Sequence, residues 1–363
     1  MAENLIAGID ELADREAQKG WCAGAYKANA PMHHLHQDYE DVLPPVVLDA
    51  AALLERTFQP REQLLAPWLT SQSLAMVYAR RGVGKTHFAL GVSYALASGG
   101  EFLGWKASAP VRVLYLDGEM PGADLQARLS HVIANTPQAA SPGALRIMTP
   151  DAQPDGWLPN LYTPEGQAAI NAVIGDAQVI VVDNLSCLVR GGKENEGESW
   201  QPVAEWGLRQ RSAGRSVIFI HHAGKGGQQR GTSKREDLLD TVISLRRPAD
   251  YTVDQGARFE VHFEKARALY GEDVDPIDAR LETLADGKQA WTTKRVADAA
   301  DDQILEMTEL GLSTREIGAE LGIAHSTVVR TLARLKEAGT YTPKPKTPRK
   351  TREATPHWND RHD

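Results

Sequence analysis

The segment that most constrains the fold runs from Met76 to Leu90 and has the sequence MVYARRGVGKTHFAL. The segment begins with apolar residues, continues as a glycine-containing loop and ends at the start of a helical pattern. Residues 79–86 match the phosphate-loop pattern GxxxxGK[ST], except that Ala79 takes the place of the first glycine. Ala79 is small and stands at the exit of the apolar run, so we expect it to accommodate the turn. The segment therefore predicts a strand, a loop and a helix of an α/β fold.

The flanking sequence alternates short apolar runs with helical stretches. Several runs are near-continuous, which is typical of strands buried on both faces of a parallel sheet. The predicted strands are LAMVYA (74–79), VRVLYLD (111–117), LRIMT (145–149), VIVVD (179–183), VIFIHH (217–222), DTVISLRR (240–247) and RFEVHFEKAR (258–267). The predicted helices between them span residues 87–98, 122–135, 164–174 and 199–213. The pattern predicts a doubly wound, mostly parallel sheet, whose last two strands form an antiparallel extension.

Composition and periodicity divide the chain into four parts. The predicted parts are a flexible extension (1–45), an α/β domain (46–296), an all-helical domain (297–340) and a disordered basic tail (341–363). His33, His34 and His36 lie in the extension. Because no acidic or cysteine partner stands at ligand spacing, we interpret them as part of a mobile arm, with a metal site as the alternative.

Charge and cysteine content restrict the class of protein. The net charge is −8, so contacts with nucleic acid would have to use local basic patches. The two cysteines, Cys22 and Cys187, are far apart, which fits a reducing cytosol and argues against a disulfide framework. No apolar stretch approaches the roughly 20 residues that a membrane span requires. We therefore expect a cytoplasmic globular protein without membrane contact.

The loop and one later strand predict a nucleotide site. Gly84 lets backbone N–H groups converge on a β-phosphate, Lys85 reaches the β- and γ-phosphates, and Thr86 can ligate Mg²⁺. Asp183 ends the apolar run VIVVD, where a carboxylate holds Mg²⁺, commonly through water. The predicted cofactors are therefore ATP and Mg²⁺. The residues expected to contact the nucleotide are Arg81, Gly82, Val83, Gly84, Lys85, Thr86 and His87.

Two further strand ends carry candidate catalytic side chains. Glu119 follows VRVLYLD, on a strand expected to neighbour that of the phosphate loop, where it can orient the attacking water. Asp117 is the other candidate for that role. The non-catalytic alternative is that Glu119 is only a carboxylate in a turn. His221 and His222 end VIFIHH, and neighbouring residues on a strand point to opposite faces. We favour His222, at the strand exit, as the sensor of the γ-phosphate; a structural histidine pair is the alternative.

Glycine-rich basic segments follow two of these strands. They are NLSCLVRGGKENEGES after Asp183 and AGKGGQQRGTSKRED after His222. The segment after His222 is expected at the sheet edge that carries the nucleotide, so nucleotide state can move it. We predict that both segments face a DNA channel, with solvated surface loops as the alternative. Their candidate DNA-binding residues are Arg190, Lys193, Lys225, Arg230, Lys234 and Arg235.

The ordered set of phosphate loop, post-strand Glu, strand-end Asp, strand-end His and late Lys-x-Arg resembles the RecA-like ATPases of the replicative helicase branch. It is most similar to RepA-like plasmid helicases and related AAA ATPases, over roughly residues 50–290. The resemblance implies a ring, usually a hexamer, that binds ATP between subunits. It also implies that Lys265 and Arg267, in FEKARALYG, reach the ATP of the neighbouring subunit. Ala79, the doubled histidine and the appended C-terminal region depart from the family pattern.

The C-terminal region predicts a helix-turn-helix. Ser313 and Glu316 have the spacing of a capping box, Gly322 ends the second helix, and Ser326 is expected to cap the third. Residues Thr327, Arg330 and Arg334 would then face outward, as in a helix that reads the major groove of DNA. Such units also bind proteins, which is the alternative.

Together these features predict an ATP-dependent DNA motor, a ring-forming replicative or accessory helicase of a mobile element. One alternative is an ATP-regulated DNA-binding regulator without unwinding activity. Another is a recombination or repair ATPase. The predicted partners are single-stranded DNA, duplex DNA through the C-terminal helices, and further copies of the same chain.

Overall fold

The computed structural model describes residues 45–191, 197–223, 237–267, 269–285 and 288–342. The chain forms two units, residues 1–59 and 60–363. In the described part of the first unit, helix α1 (Ala50–Glu55) is capped by Asp49, whose carboxylate accepts a hydrogen bond from the Ala52 N–H at 2.7 Å. The predicted mobile arm, with its three histidines, lies outside the described residues.

The second unit contains the sheet and most of the helices. Its strands in the described residues are β1 (Gln63–Ala66), β2 (Leu69–Thr70), β3 (Leu74–Ala79), β4 (Glu101–Phe102), β5 (Trp105–Ala107), β6 (Val113–Asp117), β7 (Leu145–Met148), β8 (Val179–Asp183), β9 (Ser216–His222), β10 (Thr241–Arg246), β11 (Arg258–Ala266), β12 (Ile277–Thr283) and β13 (Gln289–Arg295). Its α-helices in the same residues are α2 (Lys85–Ser98), α3 (Gly122–Ala134), α4 (Pro164–Ile174), α5 (Leu185–Leu188), α6 (Gly197–Ser212), α7 (Val296–Glu309), α8 (Thr314–Glu320) and α9 (His325–Glu337).

Nine strands form the main sheet in the order β13-β12-β11-β10-β3-β9-β8-β6-β7. From β10 to β7 all neighbours pair in parallel, and from β10 to β13 all pair antiparallel. A second, antiparallel sheet has the order β2-β1-β5-β4. The architecture is thus a mixed α/β fold with a large, mostly parallel sheet, as the sequence predicts.

The central strands are apolar throughout because both faces of the sheet are covered. On β3, Ala75, Val77 and Ala79 pack into one apolar cluster with residues of α2. The alternate residues Leu74, Met76 and Tyr78 pack into a second cluster with residues of α4 and α6. Since successive side chains on a strand point to opposite faces, a two-sided core requires a continuous apolar run.

Part of the sheet prediction is wrong. β10 does not belong to the antiparallel extension, because it pairs in parallel with β3, with Thr241 opposite Ala75. The extension begins at β11 and continues through β12 and β13, which the sequence analysis missed. These two strands are largely half-buried or exposed and carry many charged residues. They therefore lack the apolar run that identifies a buried strand.

The three C-terminal helices pack around Ile304, Ile317 and Val328. Ser313 caps α8, and its hydroxyl and backbone N–H form the reciprocal pair of hydrogen bonds with Glu316 that the sequence predicts. The predicted Ser326 cap is wrong, because the N-cap of α9 is Ala324 and no side chain caps that helix. No helix in the described ranges is both long and apolar enough to cross a membrane.

Candidate functional site

The phosphate-loop segment joins β3, in the interior of the sheet, to the N-terminus of α2. Gly82 and Gly84 have φ values of +77° and +130°, which side chains other than glycine rarely adopt. A Cβ at Gly84 would also lie 2.9 Å from Cδ1 of Phe259. Glycine at position 84 is therefore required, and the free N–H groups of the first turn of α2 point toward the loop, as in an anion-binding helix terminus.

A cavity of about 490 Å³ opens beside this loop. It is lined by all seven predicted loop residues, by Glu119, Asp183 and His222, and by Met120, Pro121, Asp124, Arg128, Arg247, Gly256 and Ala257. Burial, followed by the positive charge of Arg128, lowers the pKa of His87 to about 4, so its ring is neutral at pH 7. The structure therefore brings the predicted loop and three predicted strand-end side chains to one place.

Lys85 is buried at the floor of the cavity. Its Nζ donates hydrogen bonds to the carbonyl oxygens of Ala79 and Arg80 at 3.4 and 3.3 Å. Burial lowers the pKa of the ammonium, and the carboxylates of Asp183 and Glu119 oppose this shift. Because the two hydrogen bonds are long, the ammonium can exchange them for contacts to phosphate oxygens.

Asp183 is buried at the end of β8 and accepts a hydrogen bond from the Tyr115 hydroxyl at 2.6 Å. Burial raises the pKa of Asp183 to about 6, and hydrogen bonds from Tyr115 and Thr86 favour its charged form. The hydroxyl of Thr86 and the carboxylate of Asp183 are thus neighbours. Hard oxygen ligands of this kind suit Mg²⁺, so the donor set fits the predicted metal.

Asp117 and Glu119 have different surroundings. Asp117 is buried and accepts hydrogen bonds from the N–H groups of Glu119 and Met120 at 3.3 and 3.2 Å and from the Thr149 hydroxyl at 3.0 Å. The Glu119 side chain is half exposed and lines the cavity. Asp117 therefore holds the turn, whereas Glu119 is the carboxylate that faces the cavity.

Glu119 reaches the cavity from a strand that does not neighbour β3. The expectation of a neighbouring strand is wrong, because β9 and β8 lie between β3 and β6. The carboxylate is held by neighbours from these two strands. Asn184, directly after β8, donates a hydrogen bond to it, and His222 Nε2 at the end of β9 lies 3.5 Å from Oε2.

Of the two histidines, His222 faces the cavity. Burial, followed by the charge of Lys85, lowers the pKa of His222, which favours the neutral ring. His221 is also buried but does not line the cavity. The predicted preference for His222 therefore agrees with where the two side chains lie.

Lys265 and Arg267 lie at the opposite edge of the sheet. Ala266 pairs with Thr241, which in turn pairs with Ala75 near the start of β3, whereas the phosphate loop follows the end of that strand. Arg267 donates a hydrogen bond to the Asp237 carbonyl at 2.8 Å, and Lys265 donates one to the same oxygen at 3.4 Å. The structure does not bring this pair to the cavity of its own chain.

The candidate DNA-binding residues that the structure describes lie in two separate regions, after α5 and on α9. Arg190 donates hydrogen bonds to the carbonyl oxygens of Cys187 and Leu158 at 3.0 and 2.5 Å. On α9, Arg330 is exposed and Thr327 is half-buried. Arg334 forms an ion pair with Asp301 of α7 at 2.6 Å. The remaining candidates, Lys193, Lys225, Arg230, Lys234 and Arg235, lie outside the described residues.

Sequence reasoning missed Tyr115, Asn184, Arg128 and Arg247. Tyr115 had a usable signal, since a tyrosine inside a buried apolar run needs a partner for its hydroxyl. Asn184 directly follows the strand-end Asp183 and had the same positional signal as Glu119. Arg128 and Arg247 carried no local signal, because only tertiary packing places them at the cavity.

The parallel sheet, the glycine loop at the N-terminus of α2, and the buried Lys85 and Asp183 define a P-loop nucleotide-binding protein. A family model described as an AAA domain matches residues 39–228, more than half of the chain, so the chain belongs to this AAA-domain family of ATPases. The chain is also similar to the crystal structure of a KaiC-like protein from the hyperthermophilic archaeon Pyrococcus horikoshii. The identity is 15%, the TM-score is 0.42, and the match covers 64% of this chain and 93% of the other.

Proposed function

We propose that the protein is an ATP-dependent DNA motor, a ring-forming helicase of the RepA-like kind that serves the replication of a plasmid, phage or other mobile element and works in the cytoplasm. The observation that carries the proposal is the convergence of Lys85, Asp183, Glu119 and His222 on one cavity beside a phosphate loop. These are the groups that nucleotide hydrolysis requires, and they come from four separate segments of the chain.

Binding of ATP would use the loop and its lysine. Backbone N–H groups of residues 81–87 would surround the phosphates, and Lys85 would leave the carbonyls of Ala79 and Arg80 to pair with phosphate oxygens. Thr86 and Asp183 would hold Mg²⁺, which supplies charge neutralisation on the phosphates when bound. The buried setting of Asp183 strengthens its attraction for a cation, because the local dielectric is low.

Hydrolysis would use Glu119 as the group that orients water and takes its proton. Asn184 and His222 hold the Glu119 carboxylate at the cavity wall. His222 would in addition sense the γ-phosphate, because its ring lines the same cavity as Glu119 and Lys85. Movement of this ring on loss of the phosphate would pass to the segment that follows β9.

The position of Lys265 and Arg267 supports the ring that we propose. Cations at the far edge of the sheet cannot serve their own cavity, but they can serve the cavity of a neighbour in a head-to-tail assembly. A guanidinium supplied in this way would stabilise charge on the transferring phosphoryl group and would couple hydrolysis to subunit movement. We propose a hexamer with single-stranded DNA in the central channel.

The C-terminal helices would act as a helix-turn-helix that contacts duplex DNA. The packing of α8 against α9 supports this proposal, and Arg330 is exposed for phosphate or base contacts. Two observations favour a protein partner instead. Arg334 is engaged by Asp301, and acidic side chains outnumber basic ones in residues 296–342. DNA binding by this unit would require Arg334 to exchange Asp301 for a phosphate.

The deciding experiment measures ATP hydrolysis with and without single-stranded DNA, together with displacement of a labelled strand from a forked duplex. We expect DNA-stimulated hydrolysis and ATP-dependent displacement, both abolished in Lys85→Ala. Hydrolysis without displacement, combined with tight binding to one duplex site, would replace the motor by an ATP-regulated DNA-binding regulator. Hydrolysis with DNA strand exchange would indicate the recombination or repair ATPase. Unchanged hydrolysis in Lys85→Ala would refute the site itself.

A further inference from the structure

Arg247 lies in the wall of the nucleotide cavity, although no motif includes it. It directly follows β10, and Leu245 of that strand pairs with Ala79 at the end of β3. The guanidinium therefore stands at the same sheet edge as the phosphate loop. Its Nη2 donates a hydrogen bond to the Gly82 carbonyl oxygen at 2.5 Å.

This hydrogen bond sets the direction of one peptide group in the loop. The Gly82 carbonyl and the Val83 N–H belong to the same planar trans peptide and point in opposite directions. With the carbonyl turned toward Arg247, the Val83 N–H points to the inside of the loop, where it donates to the Arg80 carbonyl at 3.4 Å. A bond of that length is weak, so this N–H is available to an anion that enters the loop.

The guanidinium is itself held from the other side. Its Nη1 donates to the carbonyl oxygens of Arg258 and Gly256 at 2.8 and 3.3 Å, and Cζ lies 3.7 Å from the centre of the Tyr251 ring. The Tyr251 hydroxyl donates to the Gly256 carbonyl at 3.0 Å. Arg247 therefore bridges the phosphate loop and the connection between β10 and β11.

The connection ends at a residue that is held by ion pairs. Arg258 is buried and makes ion pairs with Asp278 at 2.6 Å and with Asp250 at 3.0 Å. Asp250 also accepts a hydrogen bond from Gln303 of α7 at 2.7 Å. Arg247 thus takes its position from a network that is anchored well away from the loop.

We infer that Arg247 is a positioning residue of the nucleotide site, which holds the Gly82–Val83 peptide in the orientation that receives a triphosphate. The inference rests on the proposed ATP site and adds a residue to it. A planar guanidinium can donate to Gly82 and to Arg258 at once, whereas a lysine ammonium at the end of a flexible chain cannot keep this geometry.

The test compares Arg247→Ala and Arg247→Lys with Arg246→Ala in the full chain. Arg246 is the matched control, because it is the preceding residue but pairs with Glu264 and Ser244 and does not line the cavity. The affinity for a fluorescent methylanthraniloyl-ATP with Mg²⁺ is measured first. We expect its Kd to rise about tenfold in Arg247→Ala, to recover little in Arg247→Lys, and to stay within twofold in Arg246→Ala.

Two further readouts separate positioning from a general loss of structure. In steady-state hydrolysis, KM should rise about tenfold in Arg247→Ala while kcat stays within threefold. Added methylguanidinium should restore part of the ATP affinity of Arg247→Ala, whereas methylammonium should not. Equal rescue by both cations, or a fall in kcat with unchanged KM, would overturn the inference.

Lys85→Ala distinguishes failure of this inference from failure of the ATP site. If Lys85→Ala loses nucleotide affinity while Arg247→Ala binds within twofold of wild type, Arg247 does not position the loop but the site stands. If Lys85→Ala binds as tightly as wild type, the proposed ATP site is wrong, and with it the role of Arg247.

Discussion

Asp117 and Glu119, at and just after the end of β6, are both carboxylates, but their surroundings differ. Asp117 has three hydrogen-bond donors around it and no direct opening to the cavity, whereas Glu119 is half exposed and has Asn184 and His222 beside it. The pKa of Asp117 is raised by burial, with the hydrogen bonds opposing that shift. Asp117 therefore has a structural role in the turn, and Glu119 is the residue for which we propose the catalytic role.

Glu119→Gln and Asp117→Asn test this division. Glu119→Gln keeps the shape of the side chain but removes the proton acceptor, so hydrolysis should fall at least about 100-fold while the Kd for ATP stays within twofold. Asp117→Asn should keep at least about a tenth of the hydrolysis rate but lower the free energy of unfolding by about 1 kcal/mol, because one hydrogen bond becomes mismatched. The opposite pattern, with turnover lost in Asp117→Asn and kept in Glu119→Gln, would exchange the two roles.

At the scale of single residues, local sequence predicted the parts of the site that follow strands. Lys85, Thr86, Asp183, Glu119 and His222 all stand in or after an apolar run, and the ends of parallel strands meet at one edge of a sheet. Arg247 also follows a strand, but an arginine after a strand is common. Only its hydrogen bond to the Gly82 carbonyl links it to the phosphate loop.

Among the elements, α2 depends on a close approach to the small sheet. Gly91 faces Phe102 of β4, and a Cβ at this position would overlap the Phe102 ring. That ring packs edge-to-face against Phe88 at 5.8 Å and Trp291 at 5.9 Å, so it cannot move without repacking the cluster. Gly91 therefore lets α2 lie close to the small sheet, which keeps the N-terminus of the helix at the phosphate loop.

Gly91→Ala should lower the free energy of unfolding by about 1–3 kcal/mol, because overlap with Phe102 outweighs the gain in helix propensity. Gly207→Ala in α6 is the matched control. Its Cβ would meet Phe219 Cζ at 3.2 Å, and the expected change is within about 1 kcal/mol. Denaturant unfolding of both variants supplies the measurement. Equal stability of Gly91→Ala and wild type would show that the helix does not depend on this close approach.

The sequence predicted some strands and missed others, and the difference has a physical reason. Buried strands such as β3 and β8 are visible in the sequence because two-sided burial demands an apolar run. Strands β12 and β13 are exposed on part of their surface, so a pattern such as IDARLET has no clear period. The small sheet was missed because its strands are only two to four residues long.

At the scale of the whole molecule, the nucleotide cavity and Arg267 lie at opposite edges of the sheet. The nucleotide cavity lies where β3 ends, and Arg267 lies near where β3 begins. In our proposal the cavity and Arg267 are the two halves of an ATP interface between neighbouring subunits. The proposed ring joins these halves between subunits.

Mixing two inactive variants tests that arrangement. Lys85→Ala lacks the phosphate contact, and Arg267→Ala lacks the trans-acting guanidinium, so each alone should hydrolyse ATP at most about a hundredth as fast as wild type. In an equal mixture, about a quarter of the interfaces combine an intact loop with an intact Arg267, so hydrolysis should return toward that fraction. Mixing Lys85→Ala with the double variant is the control and should restore nothing. No gain in the first mixture, under conditions where subunits exchange, would remove the trans role of Arg267.

The sequence by itself determined the parallel strands of the main sheet, the long helices between them, and the side chains that stand at the ends of these strands. These properties follow from local periodicity and from the geometry common to all parallel sheets. Only the tertiary structure decided that β9 and β8 separate β3 from β6, that Asn184 and His222 hold Glu119, and that Arg247 holds the phosphate loop. Strand order and the contacts of long side chains depend on packing between distant parts of the chain, which no local pattern records.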